Sequence, residues 1–180
     1  MVRTTGRLLR TQGYNATGLN QIVAEAEAPK GSMYFHFPGG KEELAAASID
    51  RFADRLSRLM ERGFDEQPTV ADAIGVYLDD LTTTLARSDF AEGCAVAAVT
   101  LEAASTHERL ARAVDRALTA WTDLIATALE REGRDPATAR RLAIVALAAI
   151  EGAIVLGKGH RDRAPMDEVQ AALRDLLAPA

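Results

Sequence analysis

Seven consecutive residues, Lys30-Gly31-Ser32-Met33-Tyr34-Phe35-His36, are the part of the chain best equipped to engage another molecule. Lys30 offers an ammonium to a phosphate or a guanine edge. Gly31 lets another backbone approach closely, because it carries no side chain. Tyr34 and His36 are donors placed to reach phosphates. Met33 and Phe37 read as a small core beneath them. This chemistry is recognition. No Gly-x-Ser-x-Gly or His-Glu-x-x-His occurs in the chain, so no catalytic residues are assigned. Gly39-Gly40-Lys41 resembles the end of a phosphate-binding loop, but the full spacing needs Gly at 35 and Ser or Thr at 42. Phe35 and Glu42 stand there. His36, His107 and His160 are far apart and Cys94 is the single cysteine. No metal site, intrachain disulfide or cofactor is therefore expected.

Helices must position these residues. The chain of 180 residues is rich in Ala and only 5% aromatic, a composition that favours helix over sheet. Arg3 to Gln12 reads as a first helix closed by Gly13. Thr17 is placed to cap a second over Gly18 to Ala26, with Leu19, Ile22, Val23 and Ala26 on one face. The tight turn Ala26-Glu27-Ala28-Pro29 leads into a third through Phe35, with Pro29 in its first turn. A helix followed by two short ones across a tight turn is the plan of a helix-turn-helix, whose second short helix enters the major groove. Phe37-Pro38-Gly39-Gly40 then breaks the chain, and a long helix from Lys41 to about Gly63 follows.

Beyond a polar hinge at Asp65 to Pro68, Thr69 caps a helix to about Arg87. Further helices run over Cys94 to Ser105, from Thr106 toward Gly133, over Ala137 to about Lys158, and onward from Pro165. The helix from Ala137 is apolar nearly all round and so requires cover on more than one side. A second subunit is the expected cover, through Leu147, Ile150 and Ile154 with Leu173 and Leu176. Tyr77, Leu81, Phe90, Leu101, Trp121 and Ile125 form an aromatic and apolar set on helices that should converge. With the carboxylate of Glu151 they form an expected small-molecule pocket.

Charge divides along the chain. The net charge is -5, yet residues 1 to 41 carry five basic residues against Glu25 and Glu27, a net of +3 that leaves -8 for the rest. A basic segment on an acidic body can approach DNA with one face. The longest apolar stretch, Leu142 to Gly157, is too short and too polar for a membrane span. The first ten residues lack a secretory pattern. A cytoplasmic protein is expected.

The motifs Gly13-Tyr14-x-Ala16-Thr17, Ile22-Val23-x-Glu25-Ala26 and Pro29-Lys30-Gly31-Ser32-Met33-Tyr34-Phe35-His36-Phe37-Pro38-Gly39-Gly40-Lys41-Glu42-Glu43-Leu44 resemble the DNA-binding domain of TetR-type repressors. The Pro-Gly-Gly-Lys loop, and Gly93-Cys94-x-Val96-Ala97 followed by Leu101-Glu102, resemble the LmrA/YxaF-like subgroup. The resemblance implies a two-domain helical homodimer that leaves a DNA operator when a small molecule occupies its body. It implies DNA contacts from Thr17, Lys30, Gly31, Ser32, Tyr34, His36 and Lys41, with Gln21 a weaker candidate. Two residues depart from the pattern. Glu27 stands where Gly is usual in the turn. Phe35 replaces a more polar residue, so a thymine methyl or a sugar becomes its expected contact.

The resulting expectation is an all-α protein. Residues 1–45 form a helix-turn-helix domain and 46–180 a helical effector-binding and dimerisation domain, with helix 41–63 linking them. The alternative is a small helical ligand-binding protein or enzyme whose DNA-binding-like head is unused.

Overall fold

The computed structural model describes residues 1–179; Ala180, the last residue of the expected C-terminal domain, lies outside them. Among the described residues every regular element is a helix. They are α1 (Val2–Gln12), α2 (Leu19–Glu25), α3 (Lys30–His36), α4 (Gly40–Glu66), α5 (Val70–Arg87), α6 (Ala95–Glu102), α7 (Glu108–Arg131), α8 (Pro136–His160) and α9 (Ala164–Leu177).

Side-chain caps account for the starts of α5 and α8. The Thr69 hydroxyl caps α5 by accepting from the Asp72 N–H. Asp135 caps α8 by accepting from the Thr138 N–H, and Pro136 follows in the first turn, where its missing N–H costs nothing. Three expectations are corrected. Thr17 does not cap α2: Gly18 is the N-cap, and the Thr17 hydroxyl donates instead to the Gly13 carbonyl at 2.6 Å. Pro29 is the N-cap of α3 and stands outside its first turn. Asp65 and Glu66, read as a hinge, are the last turn of α4. Glu27 does occupy the left-handed region, at φ 50°.

The chain forms two compact units, neither continuous in sequence. One comprises residues 1–55 and 91–118; the other comprises 56–90 and 119 onward. In the first, Leu8, Ile22, Val23, Met33 and Leu44 are buried together, and Met1, Val2, Leu19 and Phe37 pack against them. This core locks α1, α2 and α3 onto the start of α4. The later segment, with α6 and the front of α7, is tied to it by polar contacts. The Gly93 N–H donates to the Arg10 carbonyl at 3.0 Å. Arg10 pairs with Glu92 at 2.9 Å, and Arg116 reaches both oxygens of Asp50 at 2.8 and 2.9 Å. The Glu102 carboxylate accepts the Asn15 N–H at 2.8 Å.

That last contact lies against Gly13, whose backbone conformation favours glycine. Its φ is +77°, and a Cβ there would stand 1.8 Å from the Glu102 Oε1. With ψ at −177° the backbone there is in a region that only glycine adopts freely, so Gly13→Ala costs about 1–3 kcal/mol in backbone conformation alone, and it also displaces the Glu102 carboxylate from the Asn15 N–H. Thermal denaturation should show Gly13→Ala clearly less stable than the wild type. Adding Glu102→Ala should recover only the steric part.

In the second unit, α5, α8 and α9 pack with the rear halves of α4 and α7. Leu78, Leu85, Trp121, Ile125 and Leu129 are fully buried there. Gly157 brings α8 close to Leu85 and to the Asp162 carbonyl. The Gln170 side-chain amide donates to the Gly75 carbonyl at 3.2 Å, joining α9 to α5. By length and composition α8 could cross a membrane, which corrects the expectation based on Leu142 to Gly157 alone. Core helices of soluble proteins share that property. Here one face of α8 is buried in the unit, while Ile144, Val145, Val155 and Leu156 remain exposed.

Candidate DNA-binding surface and effector cavity

Helix α3 divides its side chains cleanly. Met33 is 1% exposed and anchors the helix in the core, whereas Tyr34 is 62% and Phe35 81% exposed. Lys30, Gly31 and His36 are also exposed, and Ser32 is half-buried. The Phe35 and His36 rings meet edge-on, with centroids 5.0 Å apart. A Cβ at Gly31 would touch nothing within 4 Å. Packing therefore does not require glycine there; the position only keeps the first turn bare. One helix face thus presents a cation, two aromatic rings, an imidazole and an uncovered stretch of backbone.

The other expected DNA residues are held differently. Thr17 is buried and its hydroxyl is committed to Gly13, so it shapes the turn from within and does not face outward. Gln21 is half-buried in a network, exchanging hydrogen bonds with Gln12 and donating to Glu25 at 2.9 Å. Glu25 also pairs with Arg7. The Gln21 hydrogen bond foremost, and then Arg7, hold the Glu25 carboxyl below its usual range. Lys41 places its ammonium 4.2 Å from the Tyr14 ring centroid and donates to the Asn15 carbonyl at 3.4 Å. Burial pushes Lys41 below its usual range, with Glu102 opposing, and burial raises the Tyr14 hydroxyl. Tyr14 in turn meets His107 edge-on at 5.2 Å.

The second unit contains a cavity of about 480 Å³. Tyr77, Trp121, Ile125 and Glu151 line it as expected. Three expected residues do not. Leu81 and Phe90 are absent from its walls, and Leu101 belongs to the other compact unit, where it is 82% exposed. Helical spacing gave Leu81 an inward face, and residue type alone placed Leu101 and Phe90, the latter in the loop after α5, in the set. A wall the sequence reading missed comes from the second half of α4, where Leu56, Leu59, Met60 and Phe64 face the space. Their signal was the apolar stripe of the linking helix, which continues well past the residues that the head buries.

The expected dimer residues need correction as well. Ile150, Ile154 and Leu173 are buried within the subunit, and Leu147 lines the cavity. Only Leu176 is exposed. The outward face of α8 is instead Val145, Ala148, Gly152 and Val155, with Ile144 and Leu156 beside it.

Residues 2–48 match the family model described as bacterial regulatory proteins, tetR family. Residues 70–172 match the model described as transcriptional regulator LmrA/YxaF-like, C-terminal domain. The HTH-type transcriptional regulator LmrA of Bacillus subtilis (strain 168) is 32% identical over 171 residues, covering 95% of this chain and 91% of that protein. Rv0196 of Mycobacterium tuberculosis (strain H37Rv), an uncharacterized HTH-type transcriptional regulator, is also 32% identical, with coverage of 98% and 92%. Among solved structures, a TetR transcriptional regulator from Legionella pneumophila superposes with a TM-score of 0.87 at 18% identity, covering 98% of this chain and 94% of that one. The reduced form of E. coli NemR gives 0.86 at 22%, with coverage of 99% and 95%. These two share the fold.

Proposed function

This chain belongs to the TetR family of bacterial transcriptional regulators, with an LmrA/YxaF-like C-terminal domain, and from that premise we propose that it is a homodimeric repressor. It releases a palindromic operator when a small apolar or aromatic molecule enters the cavity. Residues 1–45 read DNA. Residues 46–180 bind the effector and dimerise, and helix 41–63 links the two. The protein works in the cytoplasm, without a cofactor and without catalysis.

The observation that carries this reading is the division of α3, with Met33 buried in the core and Tyr34, Phe35 and His36 outside. A helix so anchored presents its outer face rigidly to a major groove. Lys30 and Tyr34 take phosphates, and Gly31 admits the sugar-phosphate backbone. Phe35 rests on a thymine methyl. Lys41 reaches a phosphate by leaving the Asn15 carbonyl. Thr17 and Gln21 act indirectly, through the shape of the turn and the setting of α2. A twofold dimer sets its two α3 helices on successive major grooves about 34 Å apart or somewhat farther. Relatives named as repressors, NemR of E. coli and DhaR of a Mycobacterium, align over most of this chain, which supports the sign of regulation.

The test is fluorescence anisotropy with the DNA upstream of the protein's own gene, against random DNA of equal length. Specific binding at physiological salt is expected. Lys30→Ala should weaken binding to every sequence and reduce the slope of log K against log salt by about one. Equal affinity for both DNAs would overturn the repressor reading in favour of a ligand-binding protein with an unused head.

A further inference from the structure

The turn between α1 and α2 already holds an anion of the protein's own. Glu102, the last residue of α6, accepts the Asn15 N–H through its Oε2 at 2.8 Å. Its Oε1 lies over Gly13, so near that a Cβ there would stand 1.8 Å away. The Lys41 ammonium reaches the same residue of the turn and donates to the Asn15 carbonyl at 3.4 Å. Burial lowers the pKa of Lys41, and the charge of Glu102 works against that fall. Asn15 and Glu102 are both exposed, so the contact lies at the surface. All four residues belong to the first compact unit.

A backbone N–H beside a lysine ammonium is a donor pair of the kind that DNA phosphates take. The Glu102 carboxylate brings anionic oxygens to that same pair. A phosphate arriving there meets a like charge at close range and finds the N–H already engaged. Other ion pairs, Arg10 with Glu92 and Arg116 with Asp50, also link residues 91–118 to α1 and α4. Neutralising Glu102 therefore leaves that link in place.

We propose that Glu102 is an internal phosphate mimic, which competes with a DNA phosphate for the Asn15 N–H and the Lys41 ammonium and so lowers the affinity of the head for DNA. This rests on the reading of Lys41 as a phosphate ligand, yet it is independent of sequence recognition, because phosphates carry no sequence. The competition has a signature in salt. When Lys41 passes from Glu102 to a phosphate, the phosphate sheds a cation and the freed carboxylate gathers one, so the exchange releases little net salt. Without the charge on Glu102 the same contact releases a cation.

The test is a salt series of fluorescence anisotropy titrations, with the full-length protein on its upstream DNA and on random duplex of equal length. Glu102→Gln keeps an oxygen for the Asn15 N–H and removes only the charge. It should bind both DNAs about two- to fivefold more tightly, the scale of an exposed charge pair. It should also steepen the slope of log K against log salt by up to about one. In a Lys41→Ala background the same change should lose most of its effect, which separates local competition from a general fall in negative charge. Glu102→Ala, with a melting curve to follow the fold, is the second variant and should tighten binding as well. Unchanged or weaker binding by folded Glu102→Gln and Glu102→Ala, an unchanged slope, or a gain of equal size in the Lys41→Ala background would overturn the proposal. Wild-type protein that binds both DNAs equally, while Glu102→Gln tightens on both, upholds the phosphate mimic and overturns the repressor reading alone. Specific binding without any gain does the reverse, and no binding to either DNA overturns both.

Discussion

A Leu156→Arg variant is expected to sediment as a monomer and to bind the operator about 100-fold more weakly, or worse. Leu156 is 51% exposed, beside a stripe of Val145, Ala148, Gly152 and Val155 on α8. Those four recur at spacings of three and four, the pattern of a seam that packs on another helix. Leu176 on α9 is exposed as well. Inside one subunit the new guanidinium points to water and costs the fold little. Between two subunits it becomes a buried charge without a partner, a penalty of several kcal/mol. Losing the dimer also removes the gain from engaging two half-sites at once, typically a factor of about 100 to 10,000. Sedimentation at micromolar concentration, with a melting curve to confirm folding, checks this. A variant that remains dimeric overturns the assignment of that face. Ile154→Arg would be a poorer test, because Ile154 is 4% exposed and its replacement attacks the subunit core.

The second large effect is on stability. Trp121→Ala should cost about 3–5 kcal/mol, the usual range for removing a large buried aromatic. The indole is almost fully buried and also borders the cavity, so its loss merges a new void with an existing one and little can collapse to fill it. In a chain of this size each kcal/mol lowers the melting temperature by about 2–4 °C, giving a drop of roughly 10 °C. Calorimetry of the ligand-free protein checks it. A shift under about 2 °C would mean that the walls close over the gap. Trp121→Phe keeps most of the volume and is the better variant for separating ligand contact from structural support.

Much of the fold was legible because local rules and tertiary packing agree along most of the chain. Thr69 caps α5 where the capping rule puts it, and Gly13 ends α1 with the expected positive φ although its ψ of −177° lies outside the left-handed helical region. The burial of Met33 beneath exposed Tyr34 and Phe35 follows from helical spacing and a motif-rich segment. The rest turned on information that periodicity does not carry. In α8, apolar residues surround the helix, so sequence pattern cannot say which side meets the subunit core. Ile150 and Ile154 took that side, leaving Val145 and Val155 outside. Leu101 and Phe90 were assigned inward by residue type, but only tertiary placement decides whether an apolar residue reaches the cavity. Thr17 shows a third limit: a threonine before a helix has several backbone partners within reach, and the Gly13 carbonyl wins over an N–H of α2.

The split membership of the first compact unit has a consequence for how the protein is made. Its helix-turn-helix is complete as a sequence by residue 55, yet the unit also includes residues 91–118. During synthesis, at about 5–20 residues per second, the ribosome needs several more seconds to deliver that second piece. Throughout that interval the carboxylate of Glu102 is missing from the Asn15 N–H, and Arg116 from Asp50. The nascent head therefore emerges with its core available but its later polar ties absent. A gene fragment ending near residue 48 would hold it permanently in that unfinished condition. Head exchange between relatives is best cut with α6 and the front of α7 travelling alongside the helix-turn-helix.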